Sequence, residues 1–193
     1  MNIYLIGYMY SGKTTLGRQL AQRLAMDFTD LDQLFEEHYH ITLPIFFQKY
    51  GEQPFRTLEQ QMLHSTATMD NTIIATGGGT PCHFDNMDFI RTHGLSVYLR
   101  MPFDAICARM AVSKKQRPVF AGLSNDERRN KVKEQLEQRQ RYYTQADITF
   151  DAYNPDINDF ENICRKALSE KTHNAPGNAG TEPHNEKSTT QRQ

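Results

Sequence analysis

Residues 7–15 read GYMYSGKTT and follow the uncharged apolar run NIYLI. Gly7-x-x-x-x-Gly12-Lys13-Thr14 is a P-loop pattern, and its chemistry is phosphate binding. Glycine lets the backbone turn so that successive N–H groups point inward at a polyphosphate. A helix beginning near Lys13 adds the positive end of its dipole. Lys13 reaches the β and γ phosphates, and the Thr14 hydroxyl is placed to ligate Mg²⁺. Gly7, Ser11, Gly12, Lys13, Thr14 and Thr15 are therefore the candidate nucleotide-binding set. A bound nucleoside triphosphate alone does not separate a kinase from a GTPase switch or a motor ATPase.

The acceptor must be sought elsewhere. FTDLD sets Asp30 and Asp32 two apart. At a strand end, residues i and i+2 point the same way, so two carboxylates there could hold Mg²⁺ and a polyol hydroxyl. A solvated turn or a helix starting at Asp30 is the other reading. FRTLEQQML carries Arg56 and Glu59 on one face of an expected helix. Either they form a plain ion pair, or Glu59 holds Arg56 to clamp a substrate carboxylate with its planar fork. ATGGGTP ends a strand with three glycines, Gly77, Gly78 and Gly79. They let a ligand approach the main chain at the carboxyl end of a parallel strand, where such sheets bind ligands. ARMAVSKKQRPVFAG, residues 108–122, is basic and polar. It is either a solvated connection or a lid that brings Arg109 and Arg117 over the nucleotide. Arg139 and Arg141 fall near a helix end, where cations are favoured in any case.

The elements that must position these groups follow from periodicity. IYLIG (3–7), NTIIATG (71–77) and LSVYLR (95–100) read as buried strands; DITF (147–150) and MDFTDLD (26–32) are weaker candidates. Leu16, Leu20 and Leu24 mark one helix, and Leu58, Met62 and Ala67 another. Asn154-Pro155 reads as an N-cap with a first-turn proline, opening a last helix through Ile157, Phe160, Cys164, Ala167 and Leu168. Strands alternating with helices predict a parallel sheet covered on both faces.

The chain has 193 residues, 22 basic and 23 acidic, with a formal net charge of −1. No global field favours nucleic acid or an anionic membrane. No apolar run approaches the ~20 residues of a membrane span. There is no signal-peptide pattern, and Cys82, Cys107 and Cys164 are scattered, as expected of reduced thiols in a cytoplasmic protein. Residues 171–193 hold no apolar type but alanine, so a disordered polar tail is expected after a domain of residues 1–170.

The ordered set of a P-loop, a DxD, an FRxxE, a triple glycine after a strand, an Arg-Pro in a lid and an RxxxY resembles the shikimate kinase family over roughly residues 1–168. The first of these is common to many ATPases; the order of all six is far more specific. The resemblance implies a three-layer α/β P-loop kinase fold: a five-stranded parallel sheet, order 2-3-1-4-5, flanked by helices, with a mobile lid at about 111–124. It implies ATP as co-substrate, Mg²⁺, and transfer of the γ-phosphoryl group to the 3-hydroxyl of shikimate on the route to chorismate and the aromatic amino acids. It makes Asp30 a neighbour of the metal through water and Asp32 the base that also binds shikimate hydroxyls. Arg56 and Arg139 would hold the shikimate carboxylate, Gly78 and Gly79 would lie against the ring, and Glu59 would orient Arg56. Arg109 would stack near adenine, and Arg117 would reach the transferring phosphate. The chain departs from the family at Tyr10, where a glycine is common, and after Arg139, where a proline is missing. The spacing to Tyr143 favours Arg139 as the clamp, with Arg141 the alternative. A monomer is expected. Two rivals remain: a kinase of another polyol acid such as gluconate, and a nucleotide-binding module with a degenerate acceptor site.

Overall fold

A computed structural model describes residues 1–113 and 118–173 of the chain. Five strands make one sheet: β1 (Asn2–Ile6), β2 (Asp27–Asp30), β3 (Thr72–Ala75), β4 (Gly94–Arg100) and β5 (Ile148–Asp151). Their order is β2-β3-β1-β4-β5 and every pairing is parallel, as the resemblance implies. β1 is central and wholly buried, which is why its residues form a continuous apolar run. Its one polar member, Asn2, is satisfied: its amide donates to Met69 O at 2.9 Å, and its Oδ1 accepts the Thr72 N–H at 3.1 Å. β2 and β5 are edge strands and partly exposed, so their apolar signal is diluted.

Helices α1 (Lys13–Leu24), α2 (Leu31–Tyr39), α3 (Leu43–Tyr50), α4 (Glu52–Ser65), α5 (Asn86–His93), α6 (Phe103–Val112), α7 (Asn125–Tyr143) and α8 (Ile157–His173) complete the layers. α1 lies tight on the sheet at Gly17, where a Cβ would come 2.6 Å from Phe28 and 2.9 Å from Leu5. The main core runs through the sheet and its covering helices. A separate small cluster of Phe35, Leu43, Phe46 and Phe55 joins α2, α3 and α4, with Phe35 edge-on to Phe46 at 5.1 Å between ring centroids.

Several boundaries differ from expectation. α4 ends at Ser65, and Ala67 falls in a 3-10 turn, Thr66–Thr68. α8 is capped by Asp156 rather than Asn154: Asp156 Oδ1 accepts the Asn158 N–H at 2.7 Å and its carbonyl accepts the Phe160 N–H at 3.0 Å. A carboxylate one residue after Pro155 can reach the orphan donors of the first turn, which Asn154 is too early to do. The same helix continues past residue 170. Lys171 Nζ donates to Asp147 Oδ2 and to Gly94 O, each at 2.7 Å, so residues 171–173 belong to the fold and not to a tail. Residues 174–193 lie outside the described residues. So do 114–117, at the centre of the expected lid, whose flanks are the last turn of α6 and a 3-10 turn, Pro118–Phe120, with Phe120 buried.

Candidate active site

Among the described residues, the phosphate loop, Asp30, Asp32, Arg56, the three glycines and Arg139 gather at the carboxyl ends of the strands. The loop after β1 turns at Gly7, φ +140°, where a Cβ would lie 2.7 Å from Leu99 O, and enters α1 at Gly12, φ +94°. Tyr10 adopts φ +69°, the left-handed region in which glycine is at home. A glycine, which the family resemblance leads one to expect there, would take this φ without strain. Among the described residues no side chain caps α1, and no acidic residue occupies its first turn to offset the positive end of its dipole. Lys13 Nζ folds back across the loop to Gly7 O at 2.7 Å and Tyr8 O at 3.0 Å. Ser11 Oγ is buried in the loop with no hydrogen-bond partner among the described residues. Arg109, near the end of α6, donates from Nη1 to Tyr10 O at 2.9 Å and so lies across the rim of the loop.

Asp30 and Asp32 do not share a strand face. Asp30 ends β2 and caps α2, its Oδ1 accepting the Asp32 N–H at 3.0 Å, while Asp32 sits in the first helical turn. The capping geometry turns Asp30 Oδ2 toward the loop, where it accepts the Thr14 hydroxyl at 2.6 Å. A hydroxyl and a carboxylate side by side at a phosphate loop are a donor set that suits Mg²⁺, which takes few protein ligands and completes its shell with phosphate and water.

Arg56 is buried on α4 among acids. Its Nη1 donates to Glu59 Oε2 at 2.7 Å, while Nε and Nη2 donate to Glu52 Oε1 at 3.1 and 2.8 Å. Glu59 Oε1 also accepts the Thr80 hydroxyl at 2.6 Å. Burial pushes the Glu59 carboxyl above its ordinary range, against the pull of Arg56, and Asp32 adds to the push. The three glycines fit between these groups and the phosphate loop. A Cβ on Gly77 would strike Glu59 Oε1 at 2.6 Å and approach Asp32 Oδ1 at 3.3 Å. On Gly78 it would meet Met9 N at 3.0 Å, and on Gly79 the Arg56 guanidinium at 2.8 Å. Their bareness is demanded first by the protein's own close packing.

Arg139 and Arg141 part company on α7. Arg139 Nη1 is buried and has no hydrogen-bond partner among the described residues, about a van der Waals contact (3.6 Å) from a Cβ on Gly78. Tyr143, one turn on, anchors the same glycine by donating to Gly78 O at 2.5 Å. Arg141 is exposed and turns to its neighbour Tyr142, Nη2 to Oη 3.2 Å. Arg139 is the arginine that faces the glycines.

The shikimate kinase family model matches residues 9–170. The chain belongs to the shikimate kinase family. It is 41% identical over 170 residues to a shikimate kinase of Parabacteroides distasonis, which covers 86% of this chain and 98% of that one. Its fold matches the crystal structure of shikimate kinase from Bacteroides thetaiotaomicron with a TM-score of 0.81 at 39% identity, over 88% of this chain and 98% of that one. It also matches shikimate kinase from Acinetobacter baumannii in complex with shikimate, TM-score 0.75 at 32% identity, over 91% and 95% of the two chains.

Within this family frame, three neighbours of the acceptor face were not singled out from the sequence. Glu52 engages Nε and Nη2 of Arg56; against the upward push of burial, its bond to Arg56 and that residue's charge hold it below the ordinary range. Its i, i+4 spacing to Arg56 was a usable signal. His83 is held at about 4 by burial and by the charges of Arg56 and Arg139, with Glu52 opposing, and is neutral near pH 7. Gln135 accepts the Tyr8 phenol at 2.7 Å, a contact across 127 residues of chain that no local pattern announces.

Proposed function

We propose that this chain does the work of its family: it transfers the γ-phosphoryl group of ATP to the 3-hydroxyl of shikimate, giving shikimate 3-phosphate and ADP for chorismate and aromatic amino acid synthesis. The observation that carries the acceptor assignment is the pair of guanidinium groups, Arg56 and Arg139, set against Gly79 and Gly78 beside the phosphate loop. Shikimate is a small polyol with one carboxylate. Two planar cations suit the carboxylate, and bare glycine backbone leaves room for the ring.

In this reading Gly7, Ser11, Gly12, Lys13, Thr14 and Thr15 bind the triphosphate. Lys13 leaves the loop carbonyls for the β and γ phosphates, and the Ser11 hydroxyl and helix N–H groups take phosphate oxygens. Arg109, at the loop rim, lies beside the base. Thr14 and Asp30 would hold Mg²⁺, which neutralises phosphate charge when bound. Asp32 receives the hydroxyl proton as the nucleophile attacks, and Arg117, outside the described residues, closes over the transferring phosphate from the lid. Phosphoryl transfer asks mainly for alignment and charge stabilisation, and these groups supply both.

We further read the chain as a cytoplasmic monomer acting on a free small molecule, with neither nucleic acid nor membrane as partner. No described helix is long and apolar enough to cross a membrane. ADP release measured with shikimate and with gluconate tests the assignment. Turnover with shikimate alone is expected. Equal or faster turnover with gluconate would transfer the site to that acid, and no turnover with either would leave a nucleotide-binding module.

A further inference from the structure

The P-loop pattern leaves position 8 open, and phosphate binding needs no tyrosine there. Yet Tyr8 is among the largest fully buried side chains of the protein. Its ring lies against the Arg139 guanidinium, 5.3 Å from its centroid to the Arg139 Cζ, and its phenol donates to Gln135 Oε1 at 2.7 Å. Gln135 and Arg139 are one turn apart on α7, so a single side chain of the phosphate loop grips two consecutive turns of that helix. Its backbone faces the other way: Tyr8 O accepts from Lys13 Nζ and from the Ser11 N–H at 3.2 Å.

The two acceptor-side arginines are held by different means. Arg56 is gripped by two carboxylates. Arg139 forms no ion pair among the described residues, and its Nη1 is buried without a partner. The Tyr143 phenol is in hydrogen-bonding reach of Arg139, and the Tyr8 face adds a contact that orients the cation without occupying the buried Nη1. A ring does so through its quadrupole and spends none of the donors a ligand carboxylate would need.

We propose that Tyr8 is the positioning residue of Arg139: the second residue of the phosphate loop sets the guanidinium that receives the acceptor's carboxylate. The proposal rests on the role given to Arg139 above. It makes Tyr8 the point where the nucleotide and acceptor halves meet, its carbonyl held by the phosphate lysine and its ring by the acceptor arginine.

Steady-state kinetics of variants of the full chain test this. Tyr8→Leu should raise the shikimate KM by about three- to thirtyfold, the range for losing a cation–π contact in a desolvated site, with the ATP KM changed less than about twofold. Tyr8→Phe, which keeps the ring, should restore most of that loss. Should the leucine variant fold poorly, 3,5-difluorophenylalanine at position 8 keeps the shape and weakens the ring quadrupole. The shikimate KM should then rise above that of Tyr8→Phe at an unchanged melting temperature. In an Arg139→Ala background, Tyr8→Leu should add little, because the two residues act on one contact. An effect fully additive with Arg139→Ala, an equal rise in both KM values, or no response to fluorination would overturn the role of Tyr8. If Arg139→Ala itself leaves the shikimate KM unchanged, the reading of Arg139 fails first, a result distinct from the others.

Discussion

The phosphate loop is one continuous run, residues 7–15, between β1 and α1. The acceptor face takes Asp32 from α2, Arg56 and Glu59 from α4, Gly77–Gly79 from the end of β3 and Arg139 from α7. The loop is anchored in the main core through β1, every residue of which is buried. The segment carrying Arg56 stands on its own small cluster of Phe35, Leu43, Phe46 and Phe55. The loop works largely with backbone groups, whose direction follows from local φ and ψ. The acceptor face works with side chains whose positions depend on buried ion pairs and close glycine contacts. A local device of this kind tolerates change around it, whereas a composite one is sensitive to every supporting element.

Four perturbations separate the two regions. The largest effect is expected on the loop. Lys13→Met removes the cation proposed above for the β and γ phosphates and leaves an apolar chain of similar length. Turnover should fall on the order of a thousandfold while the melting temperature stays put. A folded variant that keeps a tenth of its turnover would remove Lys13 from the mechanism.

Arg56→Lys comes next and should act on the acceptor alone. Lysine keeps the charge but cannot hold Glu59 and present two parallel N–H donors to a ligand carboxylate with one planar fork. A rise of about tenfold in the shikimate KM is expected, the size of one lost charge-assisted bond, with the ATP KM steady and some loss of melting temperature. Equal rises for both substrates would place Arg56 elsewhere.

Glu52→Gln should move the shikimate KM the other way. Glu52 is mostly exposed, so its pair with Arg56 is weak, and a ligand carboxylate must compete with it for Nε and Nη2. A fall of about two- to threefold is expected. A rise would mean that Glu52 holds Arg56 in its binding pose instead.

The smallest effect is on pH dependence. His83 stays neutral down to about 4 in the folded protein, whereas an unfolded histidine titrates near 6.5. Between those values the unfolded chain binds the extra proton, so this contribution to stability is present above about 6.5 and is lost as pH falls toward 4. His83 is only half-buried, so the slope is shallow. Melting temperatures at pH 7 and pH 5 should converge in His83→Gln relative to the parent, and an unchanged difference would remove His83 as its source.

Much of this site was open to reading from the chain alone, and the exceptions share a cause. The P-loop is legible because Gly7 and Gly12 act where they stand. The three buried strands β1, β3 and β4 are legible because a central parallel strand must be apolar on both faces. Asp30 and Asp32 stand out as a pair, but the sequence left a strand end and a helix start at Asp30 both open, since the choice rests on where β2 stops; the structure has the helix start. The helix start at Asp156 and the ordered Lys171 were misjudged because the carboxylate cap and the partner Asp147 outweigh composition.

The amino-acid sequence by itself determined the phosphate chemistry, the alternation of strands and helices, and the set of acceptor-side residue types. Those depend on backbone conformation, side-chain periodicity and local spacing, which are properties of short stretches. Only the tertiary structure decided that Arg139 and not Arg141 faces the glycines and that Tyr8 lies against Arg139. Those choices join segments brought side by side by parallel crossovers. A side chain's partner across such a crossover is set by the packing of whole elements, for which a short stretch carries no record.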